Sequence, residues 1–142
     1  MIELERVIGT LPAGFAAMRD EARAEGFGML DVLTDDWDTG KTRFERADEA
    51  LFAGYVGGVL AGIGGLTDDP YIPGALRMRR FYVRAAYRRL GAGQAIAAAL
   101  LARPETAGRT ITVNAARASE TFWESLGFVP APGERQTHRL AR

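Results

Sequence analysis

The stretch Phe81-Tyr82-Val83-Arg84-Ala85-Ala86-Tyr87-Arg88-Arg89-Leu90-Gly91-Ala92-Gly93-Gln94, continued by Ala95 to Arg103, decides how this chain folds. Ala75 to Val83 reads as a strand whose apolar residues Leu76, Met78, Phe81 and Val83 are interrupted by Arg77, Arg79 and Arg80. The alternation slips between Arg79 and Phe81, as a β-bulge would make it slip. Gly91 to Arg103 is rich in alanine, carries Ile96, Ala99 and Leu100 on one face and is closed by Pro104, which predicts a helix. Between strand and helix stands Arg88-x-x-Gly91-x-Gly93. Nothing projects from the glycines, so several N–H groups at the helix start can face one anion. The helix dipole adds about half a positive charge there, and Arg88 and Arg89 lie beside it. A phosphate or pyrophosphate would fit. The same letters also describe an ordinary glycine-rich turn, so the surroundings must separate the two readings.

Downstream, Thr110 to Asn114 is a short β-branched strand, Ser119 to Leu126 a helix stopped by Gly127, and Phe128-Val129 opens a strand. A last strand is expected over Arg135 to Leu140. Upstream, Leu51 to Leu66 is uncharged but holds six glycines and is too short to cross a membrane. Gly57-Gly58 splits it into a hairpin of Ala50 to Val56 and Val59 to Leu66. Thr67 to Gly74, with two prolines and two aspartates, reads as a loop. At the N-terminus Ile2, Leu4 and Arg6-Val7 suggest a first strand. Ala13 to Glu25 suggests an amphipathic helix with Phe15, Met18 and Ala22 inward. The acidic segment Leu30 to Glu49 is consistent with either a short helix or a loop. The order β-α-β-β-β-α-β-α-β-β implies a mixed, mostly antiparallel sheet covered by helices, in one domain spanning 1–142.

Composition removes several function classes. Eighteen basic residues balance eighteen acidic ones, which argues against a protein that coats nucleic acid or membranes. Cysteine is absent, so disulfides and thiolate metal sites are excluded, and no metal is expected. Glu3, Glu5 and Arg6 interrupt the apolar core a signal peptide would need, so a cytoplasmic location is expected.

Phe81-Tyr82-Val83-x4-Arg88-x-x-Gly91-x-Gly93 with its helix, followed by Ala118-x-x-x-Phe122-Trp123-x-x-x-Gly127-Phe128, resembles the GNAT superfamily of N-acetyltransferases over about Arg80 to Phe128. The resemblance implies a sheet splayed after its fourth strand and flanked by about four helices. It also implies acetyl-CoA as cosubstrate. Phe81, Tyr82 and Val83 would present backbone groups to the pantetheine and acetyl group. Arg88, Arg89, Leu90, Gly91, Ala92, Gly93 and Gln94 would wrap the pyrophosphate. A small-molecule or peptide amine would then attack the thioester directly in a ternary complex, and a homodimer is expected by the same analogy.

No catalytic residue is assigned. Many relatives place a tyrosine, the usual acid, where this chain has Trp123, and an indole N–H is no useful proton donor to a thiolate. Tyr82, Ser119 and Ser125 are candidate acids. Glu120, Glu124, Asp35, Asp36, Asp38 or a water chain are candidate bases. His138 is a further candidate, although a satisfied strand histidine is an ordinary alternative. Trp37 and Tyr71 either line an acceptor pocket or cap the core. The arginines at 77, 79, 80, 84, 88 and 89 suit a cofactor with several phosphates better than nucleic acid, since no aromatic stacking platform accompanies them. The rival reading is a non-catalytic acyl-CoA-binding sensor or interaction domain, which the tryptophan at 123 keeps open.

Overall fold

The structure, a computed structural model, describes residues 1–133 and 135–141. In chain order the elements are β1 (Ile2–Arg6), α1 (Phe15–Ala24), α2 (Met29–Thr39), β2 (Ala50–Val56), β3 (Val59–Asp68), β4 (Leu76–Val83), α3 (Ala92–Leu101), β5 (Thr110–Val113), α4 (Glu120–Ser125), β6 (Val129–Gly133) and β7 (Gln136–Ala141). The strands form one open mixed sheet in the order β1-β2-β3-β4-β5-β7-β6. Among the described residues only β4 and β5 run parallel, joined by the crossover through α3 that a parallel pair requires.

Helices α1 and α2 bury Met18, Leu30 and Leu33 against one face of the sheet, over Leu51 and Ile63. Helices α3 and α4 cover the other face, where Ile96, Leu100 and Trp123 meet Leu66, Leu76 and Ile111. Each fully buried aliphatic side chain contributes about 1.5–3 kcal/mol, so two such layers outweigh weak local propensities. That explains α2. Its acidic residues leave a short helix and a loop both open, and the helix forms because Leu30, Leu33 and Trp37 recur at helical spacing and are all buried.

The hairpin turn has Gly57 at φ +55° and Gly58 at φ +80°, positive angles that suit a two-residue loop. The expected slip in β4 is also present. The β3–β4 register shifts between Ile63 and Gly65, and Arg80 takes φ +62°. Gly64 allows this irregularity, because a Cβ there would stand 2.7 Å from the Phe81 ring. β4 pairs with β5 only over Leu76, Arg77 and Met78. From Arg79 to Val83 the two strands part, and the sheet splays open.

One buried polar cluster holds the ends of this opening. Asp69 Oδ1 accepts the N–H groups of Tyr71 and Ile72 at 2.8 and 3.1 Å. Asp69 Oδ2 accepts the Thr112 hydroxyl at 2.6 Å and two N–H groups of Arg77 at 3.3 Å. Arg77 also donates to the Arg135 carbonyl at 2.6 Å, which ties the β6–β7 turn to β4. Burial alone would raise the Asp69 carboxyl, but these hydrogen bonds and the Arg77 charge hold it below the usual carboxylate range. The outermost strand, β6, carries Pro130 and Pro132.

Candidate active site

A cleft of about 910 Å³ fills the gap where β4 leaves β5. Of the residues proposed from sequence to hold a cofactor, Phe81, Tyr82, Val83, Arg88, Arg89, Gly91, Ala92, Gly93 and Gln94 all line it. Leu90 does not; its side chain projects into solvent.

The turn has the geometry that an anion cradle needs. Gly91 is the N-cap of α3 at φ +93°, and no side chain caps the helix. The first N–H to bond back is that of Ala95, to the Gly91 carbonyl at 2.9 Å. The N–H groups ahead of it have no intrahelical acceptor and are available to a ligand. A Cβ on Gly91 would meet nothing within 4 Å, whereas one on Gly93 would come within 3.2 Å of the Phe122 ring and 3.5 Å of Val83.

Arg88 is not free beside this turn. Its guanidinium grips both oxygens of Glu25 at 2.6 and 2.9 Å, donates to the Val83 carbonyl at 2.9 Å and lies 5.5 Å from the Tyr82 ring centroid. The Tyr82 hydroxyl also donates to Glu25. Burial first, then this bond and the Glu25 charge, push the phenol up to about 12. The Arg88 bond, joined by the one from Tyr82, holds Glu25 below the usual carboxylate range. Tyr82 therefore has its proton committed to Glu25 and is a poor donor to a thiolate in the cleft.

The other candidates separate by contact. Ser119 stands on the cleft wall but its hydroxyl donates to the Ala116 carbonyl at 2.9 Å; Ser125 donates to the Phe122 carbonyl at 2.6 Å and lies off the cleft. Asp36 pairs with Arg80 at 3.4 Å, while Asp35, Asp38 and Glu120 are not among the lining residues. Trp37 is a core residue of α2, and Tyr71 is the one that reaches the cleft. His138 is buried, with Nε2 2.8 Å from Glu124 Oε2 and Nδ1 2.8 Å from Thr137 Oγ1. Thr137 Oγ1 in turn accepts the N–H of Ala115, a cleft residue, at 3.0 Å. The histidine is a satisfied strand residue.

The arginine cluster divides too. Arg77, Arg80, Arg84 and Arg88 all have carboxylate partners, at Asp69, Asp36, Glu21 and Glu25. A polyphosphate cofactor thus does not account for the whole cluster. Glu25 and Glu21 were not singled out by their residue type. The one available signal was spacing, since Glu21 and Glu25 are four apart and so are Arg84 and Arg88.

Trp123 is a packing residue. It is buried, and its ring meets those of Phe81, Phe122 and Phe128 edge-on at 4.8, 4.9 and 5.3 Å between centroids. Trp123→Phe keeps most of these contacts, so it should lower the melting temperature by only about 2–6 °C and change kcat by less than about tenfold. Steady-state kinetics and a thermal melt check both; a hundredfold loss of kcat with an unchanged melt would give the indole a chemical role.

Comparison with known proteins agrees with this geometry. A family profile described as an acetyltransferase (GNAT) domain matches residues 20–140. The fold is similar to that of an acetyltransferase candidate from Exiguobacterium sp. 255-15, with TM-score 0.89 and 20% identity over 99% of this chain and 93% of that one. It is also similar to the Bacillus subtilis N-acetyltransferase YlbP in complex with coenzyme A, with TM-score 0.65 and 16% identity over 100% of this chain and 97% of that one. No curated protein matches by sequence.

Proposed function

Because this chain belongs to the GNAT acetyltransferase family, we propose that it carries an acetyl group from acetyl-CoA to an amine by direct attack within a ternary complex. The observation that carries the reading is the left-handed Gly91 opening α3 onto the cleft where β4 and β5 part. The N–H groups of Ala92, Gly93 and Gln94 form the pyrophosphate cradle, with Arg89, exposed and without an ion pair among the described residues, as the nearby free charge. Arg88 acts from its place on Glu25, as the rim of that cradle. Phe81, Tyr82 and Val83 offer backbone groups that β5 does not pair with. The solved coenzyme A complex of the B. subtilis relative supports the choice of cofactor.

Holding amine and thioester together in a cleft supplies orientation, and backbone donors along β4 stabilise the charge that develops on the carbonyl oxygen. The thiolate that leaves has an ordinary pKa of about 8.5, so water suffices to protonate it. With Tyr82 committed to Glu25 and Trp123 unable to give a proton, this chain uses solvent for that step. The test is acetyl-CoA with a panel of amines, reading free thiol. Acceptor-dependent release is expected. Cofactor affinity without any such release would assign the domain to sensing acyl-CoA instead.

A further inference from the structure

Three arginines of β4 stand along one wall of the cleft, and their partners differ. Arg77 is held by Asp69 and by the Arg135 carbonyl, and Arg80 by Asp36 of α2. Between them Arg79 is half-buried and lines the cleft, and its guanidinium makes no hydrogen bond or ion pair among the described residues. Burial, then the neighbouring charges of Arg80 and Arg77, make its cationic form costlier than an exposed guanidinium, and the Asp36 carboxylate, itself paired with Arg80, offsets this only in part. Arg135 faces the same space, its guanidinium 5.9 Å from the centroid of Tyr71. A partly buried cation with two like charges beside it is stabilised when an anion arrives. Guanidinium is the side chain whose fork matches a carboxylate or a phosphate with two parallel hydrogen bonds.

On the reading of the site just given, coenzyme A phosphates do not supply that anion. They lie at the start of α3, whereas Arg79 is four residues before Val83, about 13 Å back along β4 by strand rise. The acceptor must supply it. We infer that the acceptor is an amine that also bears a carboxylate or phosphate, and that this group pairs with Arg79. Polyamines and protein lysines, which bring positive charge to this wall, are disfavoured by the same field.

The inference rests on the acetyltransferase reading, and the experiment separates the two. Acceptor kcat/KM is measured for L-alanine against L-alaninamide and for 2-aminoethyl phosphate against ethanolamine, at equal free-amine concentration. The anionic member of at least one pair should be preferred by about ten- to hundredfold, and which pair shows it tells carboxylate from phosphate. Arg79→Gln should remove that preference through acceptor KM, with kcat and the KM for acetyl-CoA unchanged, and Arg79→Lys should restore part of it. Turnover without preference for either anion overturns the inference and leaves acetyl transfer standing.

If no amine turns over, calorimetry with the coenzyme A complex compares N-acetyl-L-alanine with its amide and N-acetyl-2-aminoethyl phosphate with N-acetylethanolamine. Anion-dependent binding that Arg79→Gln abolishes keeps the anion site and discards the transfer. Equal or no binding overturns the site. Should Arg79→Gln fail to fold, the paired comparison on the wild-type protein decides alone.

Discussion

Gly93→Val is expected to weaken coenzyme A binding by more than about a hundredfold. The Cβ that the substitution adds would sit 3.2 Å from the Phe122 ring, so ring, helix start or both must shift. A shift of the helix start re-aims the N–H groups proposed to hold the pyrophosphate. Losing two charge-assisted hydrogen bonds, each worth about 1.5–3 kcal/mol, corresponds to at least that factor. Gly91→Val should act differently at the same turn: the site is open around it, but a β-branched residue at φ +93° is strained. Its cost thus falls on backbone conformation. Calorimetric titration with coenzyme A, alongside thermal melts, reads both variants. Unchanged affinity in the two would remove the cradle from the proposal.

Asp69→Ala should lower stability by about 3–5 kcal/mol, the cost of breaking a buried ion pair from one side. The side chain it removes is wholly buried, and its partner Arg77, which keeps its bond to the Arg135 carbonyl, is 6% exposed. The Thr112 hydroxyl and the N–H groups of Tyr71 and Ile72 lose an acceptor as well. Since Asp69 is held below its ordinary value, its contribution is present above pH about 4 and is lost as pH falls through the folded-state value. Urea denaturation at neutral pH measures the loss, and repeating it in acid should shrink the difference between wild type and variant. A loss below about 1 kcal/mol at neutral pH would refute the account. Asp69→Asn, which keeps an acceptor oxygen without the charge, should fall between the two.

Much of this architecture was legible before the structure. The slip between Arg79 and Phe81 announced the bulge, Gly57-Gly58 the hairpin, and Arg88-x-x-Gly91-x-Gly93 the turn, because each is a local demand on the backbone that the residue types themselves meet. What stayed open or escaped was of two kinds. Helix α2 stays undecided between a short helix and a loop in the sequence, because aspartates crowd around its buried stripe of Leu30, Leu33 and Trp37. The Glu25–Arg88 and Asp36–Arg80 pairs join residues 63 and 44 apart, and no local pattern encodes which carboxylate reaches which guanidinium. Arg79 was visible as one basic residue among several; that its guanidinium has no partner among the described residues emerges only once its neighbours have found theirs.

The prolines of β6 bear on how copies of this chain can associate. An open sheet has two free margins, and adding a strand from another molecule is the simplest way to satisfy the backbone groups there. Pro130 and Pro132 each lack a backbone donor, and the β6–β7 register is irregular between Pro130 and Gly133. Proline is confined to such marginal strands and to irregular positions, and β6 is the marginal strand beside β7. The β6 margin is therefore closed to continuous intermolecular pairing. A dimer that extends the sheet would then run along β1, the other margin, where the exposed Glu3 and Glu5 bring like charge from both copies to the seam.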